Sequence, residues 1–413
     1  MEEWLKPNLK DLTYLNVSVG QRFKQGRYVI VRKLGWGSFG TVWLARDRKE
    51  DNYVALKILT SEATGMCKIG SSDELVYAQQ IVDWGPPEDC SPPWKRHIGR
   101  CLEVFEHSTE AQVTHACIAM EPLAWDLFEL STRSISSWHL PLKICKNVVR
   151  QLLVTLDGIH RDMGVILVDL KPNNILIRPQ EVLPIILDEL ISEPPEVRIE
   201  NPERYPVGLV RYDSLPLPPT RGASEYNLAD PLEIVIVDFG RARKPNQIFP
   251  EDIPHLAYRA PEVYLGYPCD TSLDIWAFAC VTFWLVTGFH AFDWRFGGWE
   301  DSETGLEWGL GDIQLGCMAD KFERKIPIEM REKSQYWDKY LNEEGNFLHY
   351  NVGSEERNLK EEMIFNNNLE GLPEIPTEEI EGWHKFLLRC FQFQPEARPT
   401  AAELLQDPWL TED

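Results

Sequence analysis

Three short stretches hold the residue types that phosphoryl chemistry requires. In the first, Gly35-Trp-Gly-Ser-Phe-Gly40 runs straight into Thr41-Val-Trp-Leu, and Lys57 arrives within Val54-Ala-Leu-Lys. Glycines let a backbone approach phosphates closely and let successive N–H groups point at the oxygens. Gly35, Gly37, Ser38 and Gly40 are therefore candidate phosphate contacts, and Lys57 is the cation that the α- and β-phosphates of a nucleotide need. The same glycine spacing opens dinucleotide-binding folds, but there a helix follows and an acidic residue lies about 20 positions on. Here strand-forming Val42, Trp43 and Leu44 follow instead. A carboxylate must hold Lys57 in place, and Glu74 in Ser72-Asp-Glu-Leu-Val-Tyr is the candidate, at a helix start capped by Ser72. Asp73 is its rival, and a solvated surface glutamate is the plain alternative.

The second stretch is Val168-Asp169-Leu-Lys171-Pro-Asn-Asn174, flanked by Val165-Ile-Leu and Ile175-Leu-Ile. Asp169 would accept the proton of a substrate hydroxyl, Lys171 would face the γ-phosphate and Asn174 would be a neutral metal ligand. A polar turn between two strands explains Pro172 and Asn173 but not the whole set. The third is Ile234-Val-Ile-Val-Asp238-Phe-Gly, a buried strand ending in a carboxylate suited to magnesium between phosphates. Further on, Glu262 in Tyr258-Arg-Ala-Pro-Glu and Arg398 in Pro395-Glu-Ala-Arg-Pro are expected to form a buried ion pair, and Asp274 to hold the backbone around Asp169.

These residues need a frame. Tyr28 to Leu59 reads as an antiparallel β meander, and after about residue 125 the periods become helical, as in Lys146–Ile159, Leu273–Thr287 and Ile380–Phe391. The expectation is an α+β, bilobal architecture: an N-terminal extension 1–27, a small β-rich lobe 28–123 and a larger, mainly helical lobe 124–410. Residues 179–231, rich in proline and acidic charge, interrupt the second lobe as a spacer where long helices and central strands are not expected. Ile275–Phe289 is the longest apolar run and falls short of the roughly 20 residues that span a membrane, so it is predicted to be a core helix.

The length of 413 residues suits two lobes, and 43% hydrophobic residues with 15 Trp predict a folded chain. A formal charge of −23 argues against a generic nucleic-acid binder and for a basic partner, although acidity also serves solubility. Nine irregularly placed cysteines predict reduced thiols, and the acidic start Met1-Glu-Glu predicts no signal peptide.

On these motifs the chain resembles the eukaryotic protein kinases over residues 28–410, and among them the SR-protein kinases, of fungal type. The local cues are Arg32-Lys-Leu-Gly-Trp-Gly-Ser-Phe, Thr41-Val-Trp-Leu, Val54-Ala-Leu-Lys, the spacer, and Thr400-Ala-Ala-Glu-Leu-Leu-Gln-Asp-Pro-Trp-Leu. The resemblance implies transfer of the ATP γ-phosphate, with Mg2+, to serines in Arg-Ser-rich splicing factors. Lys57, Glu74, Asp169, Lys171, Asn174 and Asp238 would take the usual catalytic and metal-binding roles. The adenine-gripping hinge would run along Met120, Glu121 and Leu123 with Met120 as gatekeeper, and Val42 and Ala55 would complete the nucleotide contacts. It further implies a monomer that meets neither nucleic acid nor membrane directly, in the cytoplasm, with nuclear shuttling as an option. Acidic residues at Glu300, Asp301, Glu303, Glu355, Glu356, Glu361 and Glu362 are candidate docking groups for arginine, each with a solvated face as its alternative.

The departures carry information too. Leu167-Val168 stands where His-Arg usually precedes the catalytic Asp, and no Ser or Thr lies between Asp238 and Glu262. Both ends of the usual phosphate switch are thus missing, which predicts activity without activation-loop phosphorylation. His255 occupies the place of a bracing threonine, and Ala-Pro-Glu follows the general kinase pattern rather than that of the SR-protein kinases. A pseudokinase scaffold, a kinase of a neighbouring subfamily, and an acidic adaptor for basic RNA-binding proteins remain open as alternatives.

Overall fold

Short runs of β-branched and aromatic residues between Arg22 and Met120 become six antiparallel strands: β1 Arg22–Phe23, β2 Tyr28–Gly37, β3 Gly40–Asp47, β4 Asn52–Leu59, β5 Cys101–Ser108 and β6 Thr114–Met120. Their order in the sheet is β1-β2-β3-β4-β6-β5. Two helices follow β4 in sequence, α1 Ser61–Lys68 and α2 Glu74–Asp83. The computed structural model describes residues 13–85, 92–133, 140–192, 197–199, 210–219, 232–245, 256–292, 309–350, 353, 357–368 and 375–411. Two compact units emerge: residues 1–127, 176–220 and 235–242 in one, and 128–175, 221–234 and 243–413 in the other.

That division differs from the linear lobes at 28–123 and 124–410, because later segments pack onto the sheet. Successive side chains on a strand face opposite ways, and both faces of the sheet are covered. Trp43, Ala45, Val54, Leu56 and Ile58 pack on one face with Val17 and Tyr212. On the other, Leu44 and Tyr53 pack against Ile185, Ile186 and Leu217.

The expectation of no long helix between 179 and 231 is corrected here. Val182–Ser192 is an 11-residue α-helix. Pro184 falls in its first turn, where a missing N–H costs no intrahelical bond. Ile185 and Ile186, at 8% and 0% exposure, anchor the helix to the sheet. Beneath it, the fully buried Arg32 reaches Glu189 at 3.4 Å. The segment also contributes a short hairpin, Val197–Ile199 with Val210–Tyr212.

The second unit is helical. Ser272–Thr287, the predicted core helix, is buried along its whole length, and among the described residues no helix is long and apolar enough to cross a membrane. Trp276 in its second turn packs against Phe292, Phe322 and Phe391 with ring centroids 5.5, 6.0 and 4.9 Å away. Phe283 stacks on Trp383 of the helix Thr377–Cys390. Of the eight described cysteines, all but Cys67 are buried.

Glu262 and Arg398 form the expected pair, with Nη1–Oε1 2.6 Å, Nη2–Oε2 2.7 Å and both side chains at 0% exposure. Arg398 spends its remaining donors on the carbonyls of Ser272, Gln392 and Phe393. Removing one partner strands the other charge in the core. Glu262→Ala is therefore expected to lower stability by about 3–5 kcal/mol in denaturant unfolding, and a loss below about 1 kcal/mol would show the pair to be as weak as an exposed one.

Candidate active site

Lys57 lies on the central strand β4, opposite Val42 of β3 and Ile118 of β6. Its ammonium meets Glu74 Oε1 at 2.5 Å and Asp238 Oδ1 at 2.9 Å. Burial by itself would push the lysine pKa down, but the Asp238 and Glu74 carboxylates override it and hold the lysine well above its ordinary range. Burial likewise pushes the Glu74 carboxyl up, opposed by Lys57. Glu74, not Asp73, is thus the partner of Lys57. It opens α2, whose cap position is Asp73 rather than Ser72. The Ser72 hydroxyl instead accepts the Glu74 N–H at 3.4 Å and donates to the Gly240 carbonyl at 3.3 Å.

Asp238 is held in register by its neighbours. Its φ of 69° is left-handed, and Oδ1 accepts the Gly240 N–H at 3.1 Å. A Cβ on Gly240 would sit 3.0 Å from both Asp238 Oδ1 and Glu74 Oε2, so a side chain there would wedge into the junction. Phe239 is 6% exposed, its ring 6.0 Å from Tyr77 of α2.

The glycine-rich turn joins β2 to β3, with Gly37 and Gly40 as the last ladder pair and Ser38-Phe39 at the tip. Gly40 is required by the protein itself, since its Cβ would fall 2.4 Å from the Ile58 carbonyl oxygen. Gly35 and Gly37 are different: neither has a left-handed φ, and no atom lies within 4 Å of a Cβ built on either. Among the described residues nothing demands glycine there, whereas a phosphate cradle does. On the same face, Val42 is half-buried and Ala55, at 5% exposure, pairs with Met120 at the end of β6. The hinge continues through Glu121, whose N–H donates to the Arg100 carbonyl, and the buried Leu123. Arg178 grips the Glu121 carboxylate through Nη2 at 2.6 Å and Nε at 3.1 Å.

In the helical unit, Asp169, Lys171 and Asn174 come together. Lys171 Nζ donates to Asp169 Oδ2 at 2.8 Å, and the Asn174 amide nitrogen donates to the Asp169 carbonyl at 2.8 Å. With its N–H2 so engaged, Asn174 offers a neutral carbonyl oxygen, and Asp238 offers carboxylate oxygens. Both are the hard ligands that a divalent cation such as magnesium takes.

Asp274 organises this loop. Its buried carboxylate accepts the N–H groups of Leu167 at 2.8 Å and Val168 at 2.9 Å, with His160 Nε2 also 2.9 Å away. Val168 has φ 70°, a conformation that costs a β-branched residue about 1–3 kcal/mol. Asp274 and an apolar cluster of Ile166, Val263, Cys269 and Leu273 hold it there.

His160 and Arg178 position functional groups yet escaped the sequence reading. Neither lies in a motif, and each meets its partner only through the fold, 114 and 57 positions away. Of the candidate docking carboxylates, Glu300, Asp301, Glu303, Glu355 and Glu356 lie outside the described residues, as does His255. Glu362 is paired with Lys321 at 3.1 Å.

This fold, with its lysine–carboxylate junction and Asp-Lys-Asn loop, defines a protein kinase. The family model for the protein kinase domain matches residues 28–188 and 227–410. The chain is 30% identical over 410 residues to a serine/threonine-protein kinase SRPK of Physarum polycephalum, covering 97% of this chain and 89% of that one. It is 28% identical to protein kinase dsk1 of Schizosaccharomyces pombe, covering 97% and 83% of the two chains. Against SRSF protein kinase 3 of Mus musculus the figures are 26%, 96% and 88%. The chain belongs to the SRPK family of serine/threonine-protein kinases.

Because the Asp169 carboxylate is set beside Lys171 and Asn174, Asp169→Ala is expected to abolish phosphoryl transfer, at least about 1,000-fold, while nucleotide affinity stays within about threefold. Single-turnover transfer with labelled ATP beside equilibrium nucleotide binding checks this, and undiminished transfer would remove Asp169 from the role.

Proposed function

We propose that this kinase transfers the γ-phosphoryl group of Mg-ATP to serine hydroxyls in Arg-Ser-rich protein segments, and that it does so without activation-loop phosphorylation. The observation that carries the chemistry is the pairing of Lys57 with both Glu74 and Asp238. Lys57, fixed by Glu74, presents a positive charge to the phosphates. Asp169 orients the attacking hydroxyl and takes up its proton, and Lys171 neutralises charge at the transferring group. Asp238 and Asn174 are each a candidate ligand for magnesium, which when bound supplies the charge neutralisation that phosphates need.

Three observations support the substrate class. The net charge of −23 favours cationic partners. The helical unit holds a cavity of about 580 Å3 whose wall carries Asp320, Glu323 and Glu361 against Arg324 and Lys325, together with Phe347 and Tyr350. Carboxylates beside aromatic faces suit guanidinium groups, which take charge-assisted hydrogen bonds and stack on rings. The mouse relative is named as a protein kinase of SRSF proteins.

Independence from activation-loop phosphate is supported by Val168. Where a phosphate-binding arginine would enter this loop, a valine side chain packs into an apolar cluster instead. The loop conformation is held by Asp274 and by that packing.

Unphosphorylated protein is therefore expected to phosphorylate an Arg-Ser-repeat peptide at least about tenfold more efficiently in kcat/KM than an acidic-site peptide of equal length. Preference for the acidic peptide would remove the Arg-Ser assignment. A requirement for prior phosphorylation would remove the claim about the loop.

A further inference from the structure

The chain preceding β2 crosses one face of the sheet as a strap. At its near end, Gly20 N–H donates to the Ile30 carbonyl at 2.8 Å and Val19 N–H to the Tyr212 hydroxyl at 3.2 Å. Val17, at 2% exposure, and Leu15 then pack into the apolar cluster of that face. At its far end the strap reaches the glycine-rich turn: the Tyr14 hydroxyl donates to the Gly37 carbonyl at 2.7 Å.

That contact closes a ring. The Thr13 carbonyl accepts the Ser61 N–H at 2.8 Å, and the adjacent Thr60 N–H donates to the Phe39 carbonyl, also at 2.8 Å. The turn is therefore gripped on both sides of Ser38, by Tyr14 at Gly37 and by Thr60 at Phe39. Both grips lead back to Thr60-Ser61, directly after β4 and three residues beyond Lys57. Thr60 is itself fixed as the cap of α1, its hydroxyl accepting the Ala63 N–H at 3.0 Å. The phosphate-facing turn and the phosphate-facing lysine thus share one hydrogen-bonded frame, and Tyr14 is the link supplied from outside the two strands.

A turn with glycine at positions 35, 37 and 40 has more backbone freedom to lose on binding than one with side chains there. Fixing it beforehand lowers the ordering cost that a nucleotide would otherwise meet. We infer that Tyr14 is a positioning residue for the nucleotide phosphates, holding the glycine-rich turn through the Gly37 carbonyl. This rests on the reading of that turn as a phosphate cradle. Tyr14 touches no reacting atom, so its effect belongs in nucleotide affinity rather than in the chemical step.

Tyr14→Phe keeps the ring and removes only the hydroxyl. In the full-length chain the substitution is expected to raise KM for ATP about three- to tenfold with kcat within about twofold, the range one modest hydrogen bond supplies. Hydrogen exchange at Trp36–Phe39 should quicken without nucleotide, and the melting midpoint should stay within about 2 °C. An unchanged KM for ATP with unchanged exchange at the turn would overturn the inference, as would a KM change that only accompanies a general loss of stability. Lys57→Met, assayed alongside, separates the two levels. If it is inactive while Tyr14→Phe behaves as wild type, the strap assignment alone fails. If it transfers phosphate as well as wild type, the nucleotide reading fails and the strap assignment with it.

Discussion

One ammonium group between two carboxylates is the constraint around which the small unit is arranged. Lys57 sits with 12% of its side chain exposed, Glu74 with 6%, and charges so withdrawn from water are tolerable only when paired. The pairing dictates much else. Glu74 must lie at the very start of α2, Gly240 must lack a side chain so that two carboxylates can converge, and Asp238 must take a left-handed backbone conformation. Each requirement is local, yet together they bring residues 57, 74 and 238 within a few ångströms.

The loop of the helical unit that carries Asp169 is held by a second carboxylate logic. Asp274 accepts two consecutive backbone N–H groups and so stabilises a strained valine that the isolated loop would avoid. The strain sits one residue before Asp169, where a fixed direction for a single side chain matters most.

How much of this was legible in the sequence depended on the kind of signal. The candidate catalytic residues stood in recognisable spacings, so Lys57, Glu74, Asp169, Lys171, Asn174 and Asp238 could be named from type and order. The pairs Glu262–Arg398 and Asp274 with the loop backbone followed from the same motifs. What stayed hidden was support supplied by residues with no motif of their own: His160 behind Asp274, Arg178 behind Glu121, and Tyr14 at Gly37. The proline-rich stretch misled for a physical reason. Proline was counted against helix without regard to position, and at Pro184 it occupies the one turn that tolerates it. The apolar Ile185 and Ile186 then find a sheet face that local composition cannot reveal.

The small sheet, in consequence, is finished on both faces by segments outside residues 28–123: the strap with Val17 and Tyr212 on one side, the helix Val182–Ser192 on the other. The account's central claim is that the buried charges act as a unit, and a double-mutant cycle in phosphoryl transfer tests it most directly. If Lys57 and Glu74 serve one function, Lys57→Met combined with Glu74→Gln should be no slower than Lys57→Met alone, within about threefold. Multiplying defects, with each substitution slowing the other variant by its full single-mutant factor, would contradict the account.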